Sequence, residues 1–189
     1  MDVDKYQQEL REAYVRGGPG AIVSGIVWGA AGLMSQSYSI GIGFAVLFFA
    51  GMLIFPISKI VLKLIFRRPA ESRDNPGGLI VIETVFPMIG GLFAAWLLLP
   101  HRAEFVFPLA SIAVGAHYFG FRSAYGDWTY WVFGAALFLI GSLSIIVGLP
   151  SGKLIPFIVA FVEIGFGIWF IIVDARAKTL DGSDEKMNL

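Results

Sequence analysis

The chain has 189 residues, of which 57% are hydrophobic and 15% charged, and its formal net charge is +0 at pH 7. Soluble domains carry about 25% charged residues, so the composition argues against an ordinary soluble domain, and the neutral balance excludes a basic surface for nucleic acid. The chain has no cysteine, which excludes disulfides and cysteine-based metal or redox chemistry.

Residues 1–16 are predicted to form an amphipathic helix at the cytoplasmic face. Its apolar residues recur at three- and four-residue steps and share one face, and they are Val3, Tyr6, Leu10, Ala13 and Tyr14. A helix that binds anionic lipid would be mainly basic, whereas this one mixes both charges. We therefore expect it to pack against the bundle or a partner. The Gly-Gly-Pro-Gly stretch at 17–20 predicts a hinge into the first span.

Six apolar blocks follow, each close to the length of about 20 residues that crosses a hydrocarbon core. The blocks cover residues 20–35, 39–58, 78–99, 105–121, 128–149 and 153–173. The sequence thus predicts an all-α, polytopic membrane bundle over residues 17–174 with six transmembrane helices. The polar segment 175–189 is predicted to be a disordered cytoplasmic tail.

Six spans can be arranged as three hairpins or as two inverted triplets. The second, fourth and sixth spans share a faint similarity, and Pro108 and Pro156 each lie three residues into a span. This similarity indicates three repeated helical hairpins. Inverted triplets would instead be typical of a transporter.

Basic residues indicate the orientation of the spans. With a cytoplasmic N-terminus, twelve of the 14 Lys and Arg residues lie on the cytoplasmic side, and Arg102 and Lys153 lie opposite. This is the distribution that the positive-inside rule describes. We therefore expect a multi-pass protein of the cell (inner, cytoplasmic) membrane with both termini inside, and the lipid bilayer as its first partner.

Glu163 lies in the middle of the sixth span, within FIVAFVEIGFGIWF at residues 157–170. A charged carboxylate at this depth costs about 2.5–3.5 kcal/mol on insertion scales. The residue can be protonated, can pair with a cation or hydrogen-bond donor, or can line a wet cavity. Glu163 is therefore the first candidate for binding a proton, cation or small polar solute. A structural role, in which a buried pair fixes the helix register, is the alternative.

Glu83 in the third span and His117 in the fourth are the other ionisable candidates. If both face the interior with Glu163, the three form a polar column that opens to the cytoplasm. Lys59, at the end of the second span, is expected to reach Glu83, and Tyr118 is expected to supply a hydrogen bond. These five residues are the predicted binding site.

Catalytic and cofactor signatures are not found. The sequence has neither an HExxH zinc motif nor a Walker A lysine motif, and the nucleophile elbow GxSxG is also missing. We expect no enzymatic activity, no cofactor and no metal site.

Three stretches carry a family resemblance: AYVRGGPGAIVSGIVWGAAGL, NPGGLIVIETVF and GAHYFGFRSAYG. Together they resemble an uncharacterised family of small bacterial integral-membrane proteins, known as a domain of unknown function, over roughly residues 9–150. The resemblance implies bacterial origin and a helical membrane fold. It implies no activity and assigns no residue a role.

Three functional hypotheses follow. The leading one is a small transporter or channel-like binder that uses the intramembrane carboxylates. The first rival is a non-transporting scaffold or accessory protein that binds a protein partner, or a second copy of itself, through the N-terminal helix and the loop 59–77. The second rival is a membrane-embedded lipid-modifying enzyme, which predicts a lateral groove lined by His117 and Glu83.

Overall fold

The computed structural model describes residues 3–148 and 150–187, with side chains as far as residue 179. Within this range the chain forms helices and no strand, which confirms the all-α prediction. The helices are α1 (Val3–Tyr14), α2 (Gly18–Ser37), α3 (Ile40–Gly51), α4 (Ile54–Val61), α5 (Pro76–Leu98), α6 (Val106–Tyr125), α7 (Thr129–Val147) and α8 (Ile155–Met187). Shorter helical turns occupy Val15–Gly17, Leu62–Phe66 and Ala103–Phe105.

Five helical segments are long and apolar enough to cross a membrane. They contain α2, α5, α6, α7 and the first part of α8. By length and composition these helices are compatible with a multi-pass membrane protein. A sixth span depends on α3 and α4, which together pass the same test but are bent by 50°.

The break in the predicted second span lies between Gly51 and Ile54. Pro56 has no amide hydrogen to offer to the carbonyl of Met52, four residues earlier, and its ring crowds that carbonyl. Gly51 adds a residue with low helix propensity just before it. The prediction of one continuous helix over 39–58 is thus corrected to two shorter helices.

Close contacts between glycines and neighbouring backbones hold the long helices together. On α2, a Cβ added at Gly25 would lie 2.8 Å from the carbonyl oxygen of Ala160 on α8. On α7, one added at Gly134 would lie 2.7 Å from the carbonyl oxygen of Gly115 on α6. Small residues allow helix backbones to approach in this way within a membrane. The α2–α8 and α6–α7 pairs are accordingly the most extensive helix contacts.

The loops beside α1 meet at one end of the bundle, which we call the α1 end. Arg16 and Asp127 form a salt bridge there with a nitrogen–oxygen distance of 3.1 Å. The side-chain amide of Asn75, just before α5, donates to the carbonyl of Tyr6 at 3.1 Å. The segments before α2, before α5 and after α6 therefore lie together.

A left-handed turn joins α1 to α2. Val15, Arg16 and Gly17 have φ angles of 51°, 52° and 76°. Positive φ is unusual for a residue other than glycine and most unusual for a β-branched one. Val15 is 1% exposed, so the packing of its side chain offsets the strain of its backbone. The turn places Leu10 and Ala13 of α1 against the bundle, where both are buried.

The last helix is longer than the sequence predicts. α8 continues to Met187, through most of the segment that is predicted to be a disordered tail. Asp, Glu, Lys and Met in this segment are compatible with a helix, and the preceding span supplies an existing helix to extend. Residues 188–189, at the end of the predicted tail, lie outside the described residues.

Candidate functional site

Glu163 is completely buried where α2, α6 and α8 meet. Its relative exposure is 0%. Tyr118 on α6 donates its hydroxyl proton to Oε1 of Glu163 at 3.3 Å, and the buried Ser24 on α2 lies beside both groups. Oε2 of Glu163 has no hydrogen-bond partner among the described residues. One oxygen of a buried carboxyl group is therefore free to hold a proton.

Glycines on α2 explain why this helix lies so close to α8 around Glu163. A Cβ added at Gly18 would lie 2.7 Å from the carbonyl oxygen of Gly167, and one added at Gly25 would lie 2.7 Å from a carbon of Ile164. The two glycines of α2 lie seven residues apart, so they face the same side of the helix. Glu163 lies on α8 next to Ile164, within this stretch of close contact with α2.

A layer of aromatic rings lies between Glu163 and the α1 end. The Tyr118 ring centroid is 4.1 Å from that of Phe133, and the Tyr130 centroid is 4.7 Å from that of Phe170. Phe170 lies seven residues beyond Glu163 on α8, about 10 Å along the helix. The Tyr130 hydroxyl donates to the carbonyl of Arg16 at 2.7 Å, which connects the layer to the left-handed turn.

His117 faces a different region, between α5 and α6. Its Nδ1 lies 2.7 Å from Oγ1 of Thr84, and the same oxygen lies 2.7 Å from the carbonyl of Val81. The two side chains border a partly enclosed cavity of about 210 Å³. The other residues that line this cavity are Pro87, Met88, Gly91, Leu109, Ile112, Ala113 and Ala116.

Glu83 lies on the outer face of α5 and does not line that cavity. It is exposed, as are its neighbours Ile82 and Phe86. α5 packs mainly against α6, and the side that holds Thr84 and Gly91 forms that contact. Glu83 is thus turned away from the bundle. The expected polar column of Glu83, His117 and Glu163 does not form, because Glu83 lies outside and His117 and Glu163 lie in different regions of the bundle.

Lys59 also has a different partner from the one that the sequence suggests. Its Nζ lies 3.1 Å from Oε2 of Glu71 and donates to the Tyr14 hydroxyl at 3.1 Å. The Tyr14 hydroxyl in turn donates to Oε1 of Glu71 at 2.6 Å. The expected contact between Lys59 and Glu83 is therefore replaced by a network at the α1 end.

Electrostatics favour the charged form of Glu71 in this network. Burial alone would raise the pKa of Glu71, but the hydrogen bonds from Tyr14 and Lys59 outweigh burial and hold that pKa below its usual value. Sequence reasoning did not select Glu71 or Tyr14 as site residues. No local pattern indicates them, because the contacts join segments 12 to 57 residues apart.

The surfaces assigned to the rival hypotheses are also visible. The N-terminal helix and the loop after α4 bind each other: Glu9 accepts hydrogen bonds from the Ser72 hydroxyl at 3.0 Å and from the Asn75 amide at 2.7 Å. A scaffold that used these surfaces would have to separate them. The lipid-modifying hypothesis predicts a groove lined by His117 and Glu83, whereas the cavity beside His117 is not lined by Glu83.

A second cavity, of about 440 Å³, lies between α7 and α8 and opens outward. Its walls are almost entirely apolar and include Trp128, Phe161 and Trp169. Glu163 borders neither cavity. Within the described part of the chain, no three His, Cys, Asp or Glu side chains are grouped so that they could hold a metal ion.

Comparison with known proteins places the chain in a family. The model of a family of unknown function, DUF7010, matches residues 3–173. The chain belongs to DUF7010. The prediction of an uncharacterised family is thereby confirmed, and the match extends beyond the expected 150 to include most of α8. Membership in DUF7010 brings no activity with it, and no match was found among curated proteins or solved structures.

Proposed function

We propose that this chain is a proton-binding carrier of the cell membrane, in which Glu163 holds the proton and the described conformation is the occluded one. The single observation that supports the proposal is Oε2 of Glu163, wholly buried and without a partner among the described residues. A buried polar group without a hydrogen bond is costly. A carboxyl group inside a membrane is therefore by default a candidate for function.

A proton fits this site better than a metal cation. Calcium takes six to eight oxygen ligands and magnesium requires a near-octahedral set, whereas Glu163 has beside it only the hydroxyl groups of Tyr118 and Ser24 in the described structure. A single carboxyl group binds a single proton without further ligands. The Tyr118 hydroxyl occupies Oε1 and leaves Oε2 as the position for that proton.

The proposal includes six membrane crossings with both termini in the cytoplasm. The bent pair α3–α4 would form the second crossing, and this interpretation is supported by contacts at the α1 end. Lys59, beyond the bend, reaches Tyr14 on α1, and Arg68 forms an ion pair with Asp174 near the far end of the α8 span. These contacts support an even number of crossings between α1 and that end of α8. The distribution of basic residues supports a cytoplasmic location for this end.

Access to Glu163 requires a second conformation, because the aromatic layer covers it on the α1 side. Tyr118 is a member of the layer and also the hydrogen-bond donor to Glu163. Movement of this one side chain would both open the layer and release Oε1. Protonation and opening would thus be coupled through Tyr118, as carriers that alternate between states require.

The test is proton flux in liposomes that contain the purified protein and a pH-sensitive dye. With an imposed pH gradient, the wild-type protein is expected to dissipate the gradient faster than empty vesicles. Glu163→Gln keeps the volume and a hydrogen-bond acceptor but cannot exchange a proton, so its flux should fall to that of empty vesicles. Glu83→Gln is the matched control, since Glu83 lies on the outer face, and its flux should remain at the wild-type rate.

The same measurement separates transport from a structural role. If Glu163→Gln folds normally and conducts protons as the wild type does, Glu163 only fixes the α6–α8 contact and the carrier proposal is wrong. If the wild-type protein itself conducts no protons under a gradient of either direction, the proposal is also wrong, and the scaffold hypothesis becomes the leading one.

A further inference from the structure

The cavity beside His117 contains a hydrogen-bond acceptor with nothing to accept from. The Thr84 hydroxyl has one proton, and its oxygen lies 2.7 Å both from the Val81 carbonyl and from Nδ1 of His117. A carbonyl can only accept, so Thr84 donates to Val81, as threonine often does within a helix. Both contacts are then satisfied only if His117 carries its proton on Nδ1 and donates it to Thr84.

This tautomer leaves Nε2 of His117 as a bare lone pair. Among the described residues, no donor forms a hydrogen bond with it. A ligand suited to this place must therefore bring a donor rather than an acceptor.

The other residues that line the cavity indicate whether a ligand can be charged. Apart from Thr84 and His117, the lining residues are apolar or glycine, and no Lys or Arg is among them. A phosphate or carboxylate would thus lack a counter-charge. His117 lies eight residues before the end of α6 and Thr84 eight residues after the start of α5, so both are about 12 Å from those helix ends. That position is below the usual level of charged lipid head groups.

The size and shape of the cavity agree with partial rather than complete enclosure of a ligand. Its volume of about 210 Å³ is below the range of about 300–1,000 Å³ for sites that enclose a whole drug-sized molecule. The space is therefore sufficient for a hydroxyl-bearing end and a few adjoining carbons. The rest of a long-chain molecule would extend from the cavity along the outer faces of α5 and α6.

We propose that the α5–α6 cavity is a binding site for an uncharged lipid alcohol, whose hydroxyl group donates a hydrogen bond to Nε2 of His117. The ligand class includes long-chain alcohols and diacylglycerol, and excludes phospholipids. The site is separate from Glu163 and does not depend on proton transport. His117 binds the ligand, and Thr84 acts as a positioning residue by fixing the tautomer.

Photolabelling in phosphatidylcholine vesicles tests the site. The probe is a long-chain alcohol with a photoreactive diazirine in its chain, and the matched probe is its methyl ether, which has lost the donor. When the probe concentration is below saturation, the alcohol should label the peptide of residues 76–125 about five- to tenfold more than the ether does. This ratio is expected for one hydrogen bond. His117→Phe should remove this preference.

Two further variants test whether a loss of labelling is caused by misfolding of the protein. Ala116→Leu, at the exposed rim of the cavity, should reduce labelling by filling the space while leaving His117 in place. Gly90→Ala adds an apolar methyl group at a position on α5 with nothing within 4 Å. The probe should label this variant as it labels the wild type. Equal labelling by alcohol and ether, or wild-type labelling of both His117→Phe and Ala116→Leu, would overturn the proposal.

The tautomer has its own test, which does not involve a ligand. The chain has two histidines, so His101→Gln leaves His117 as the single reporter in a protein labelled with ¹⁵N-histidine. Nitrogen chemical shifts should identify a neutral ring with the proton on Nδ1, and Thr84→Val should change that pattern. A proton on Nε2 in the Thr84-containing protein would make His117 a donor at that position and contradict a ligand hydroxyl that donates to it.

Discussion

Tyr118 donates to Glu163 across the α6–α8 interface, with 3.3 Å between the hydroxyl oxygen and Oε1. This is the bond that orients the buried carboxyl group and decides which of its oxygens is left free. It also joins two helices that have few other contacts with each other. The relationship therefore bears on stability as much as on function.

Tyr118→Phe should destabilise the protein by about 1–3 kcal/mol, because it leaves Oε1 of Glu163 buried without a donor. The measurement is unfolding of the purified protein in detergent micelles. Tyr38→Phe is the control, since Tyr38 is 70% exposed. A double-mutant cycle with Glu163→Gln isolates the coupling between the two side chains. If Tyr118→Phe costs no more than Tyr38→Phe, the bond does not contribute to stability.

Gly25→Ala should weaken the α2–α8 contact. The new Cβ would lie 2.7 Å from a carbon of Ile164 and 2.8 Å from the carbonyl oxygen of Ala160, and overpacking of this kind costs about 1–3 kcal/mol. Gly165→Ala, also in the interior of a long helix, meets nothing within 4 Å and should be neutral or slightly stabilising. The same unfolding assay compares the two, and equal stabilities would show that α2 and α8 are not in close contact.

Tyr130→Phe should loosen the connection between α1 and the bundle. It removes the hydrogen bond to the Arg16 carbonyl, which holds a left-handed residue in place. A loss of about 1 kcal/mol corresponds to about a fivefold increase in local opening. Trypsin cleavage after Arg16, followed by mass spectrometry, should accelerate by that factor. Tyr125→Phe changes a neighbouring ring whose hydroxyl forms no hydrogen bond with the described residues, and its cleavage rate should stay at the wild-type value.

Acid should release α1 from the loop after α4. The folded-state pKa of Glu71 lies below its unfolded value, so its stabilising contribution is complete above the unfolded pKa of about 4.3 and is lost as the pH falls through the lower folded pKa. The protection factors of the α1 amides, which correct for the intrinsic fall of the exchange rate in acid, should therefore decrease between about pH 5 and pH 3. Glu71→Gln should exchange faster at pH 7 and show a smaller dependence on pH. An unchanged pH profile in that variant would assign the effect to another carboxylate.

Glu83→Leu should be tolerated. The side chain lies on the outer face of α5 beside exposed apolar residues, and replacing a charge by leucine at such a place lowers the cost of insertion. The expected result is an unchanged or increased yield of folded protein in membranes, together with unchanged proton flux. A large loss of folded protein would indicate that a partner or a second copy covers this face.

Most of the fold could be predicted from the lengths of the apolar blocks. They are decisive because a helix that crosses hydrocarbon must satisfy its own backbone over about 20 residues. The cost of a buried carboxylate is also a local property, so Glu163 could be selected from sequence alone. Tyr118 was selected with it, and the structure brings these two together.

Which face of a helix meets its neighbour could not be read from the sequence. Lipid tails and the bundle interior are both apolar, so hydrophobic periodicity does not distinguish the two sides of α5. The sequence therefore allows Glu83 to face an interior site, whereas it lies on the outer face. Lys59 and Glu71 are joined by a loop whose path has no sequence pattern, and their pairing was missed for that reason.

The docking of α1 has a consequence for how the protein is made. Gln7, Arg11 and Arg16 find their partners at Ser123, Tyr125 and Asp127, 111 to 116 residues later in the chain. At translation rates of about 5–20 residues per second, the first helix leaves the ribosome about 5–20 s before those partners exist. Contacts with the loop after α4 can form earlier, through Ser72 and Asn75, but the docking of α1 is complete only once the end of α6 and the loop before α7 have been made.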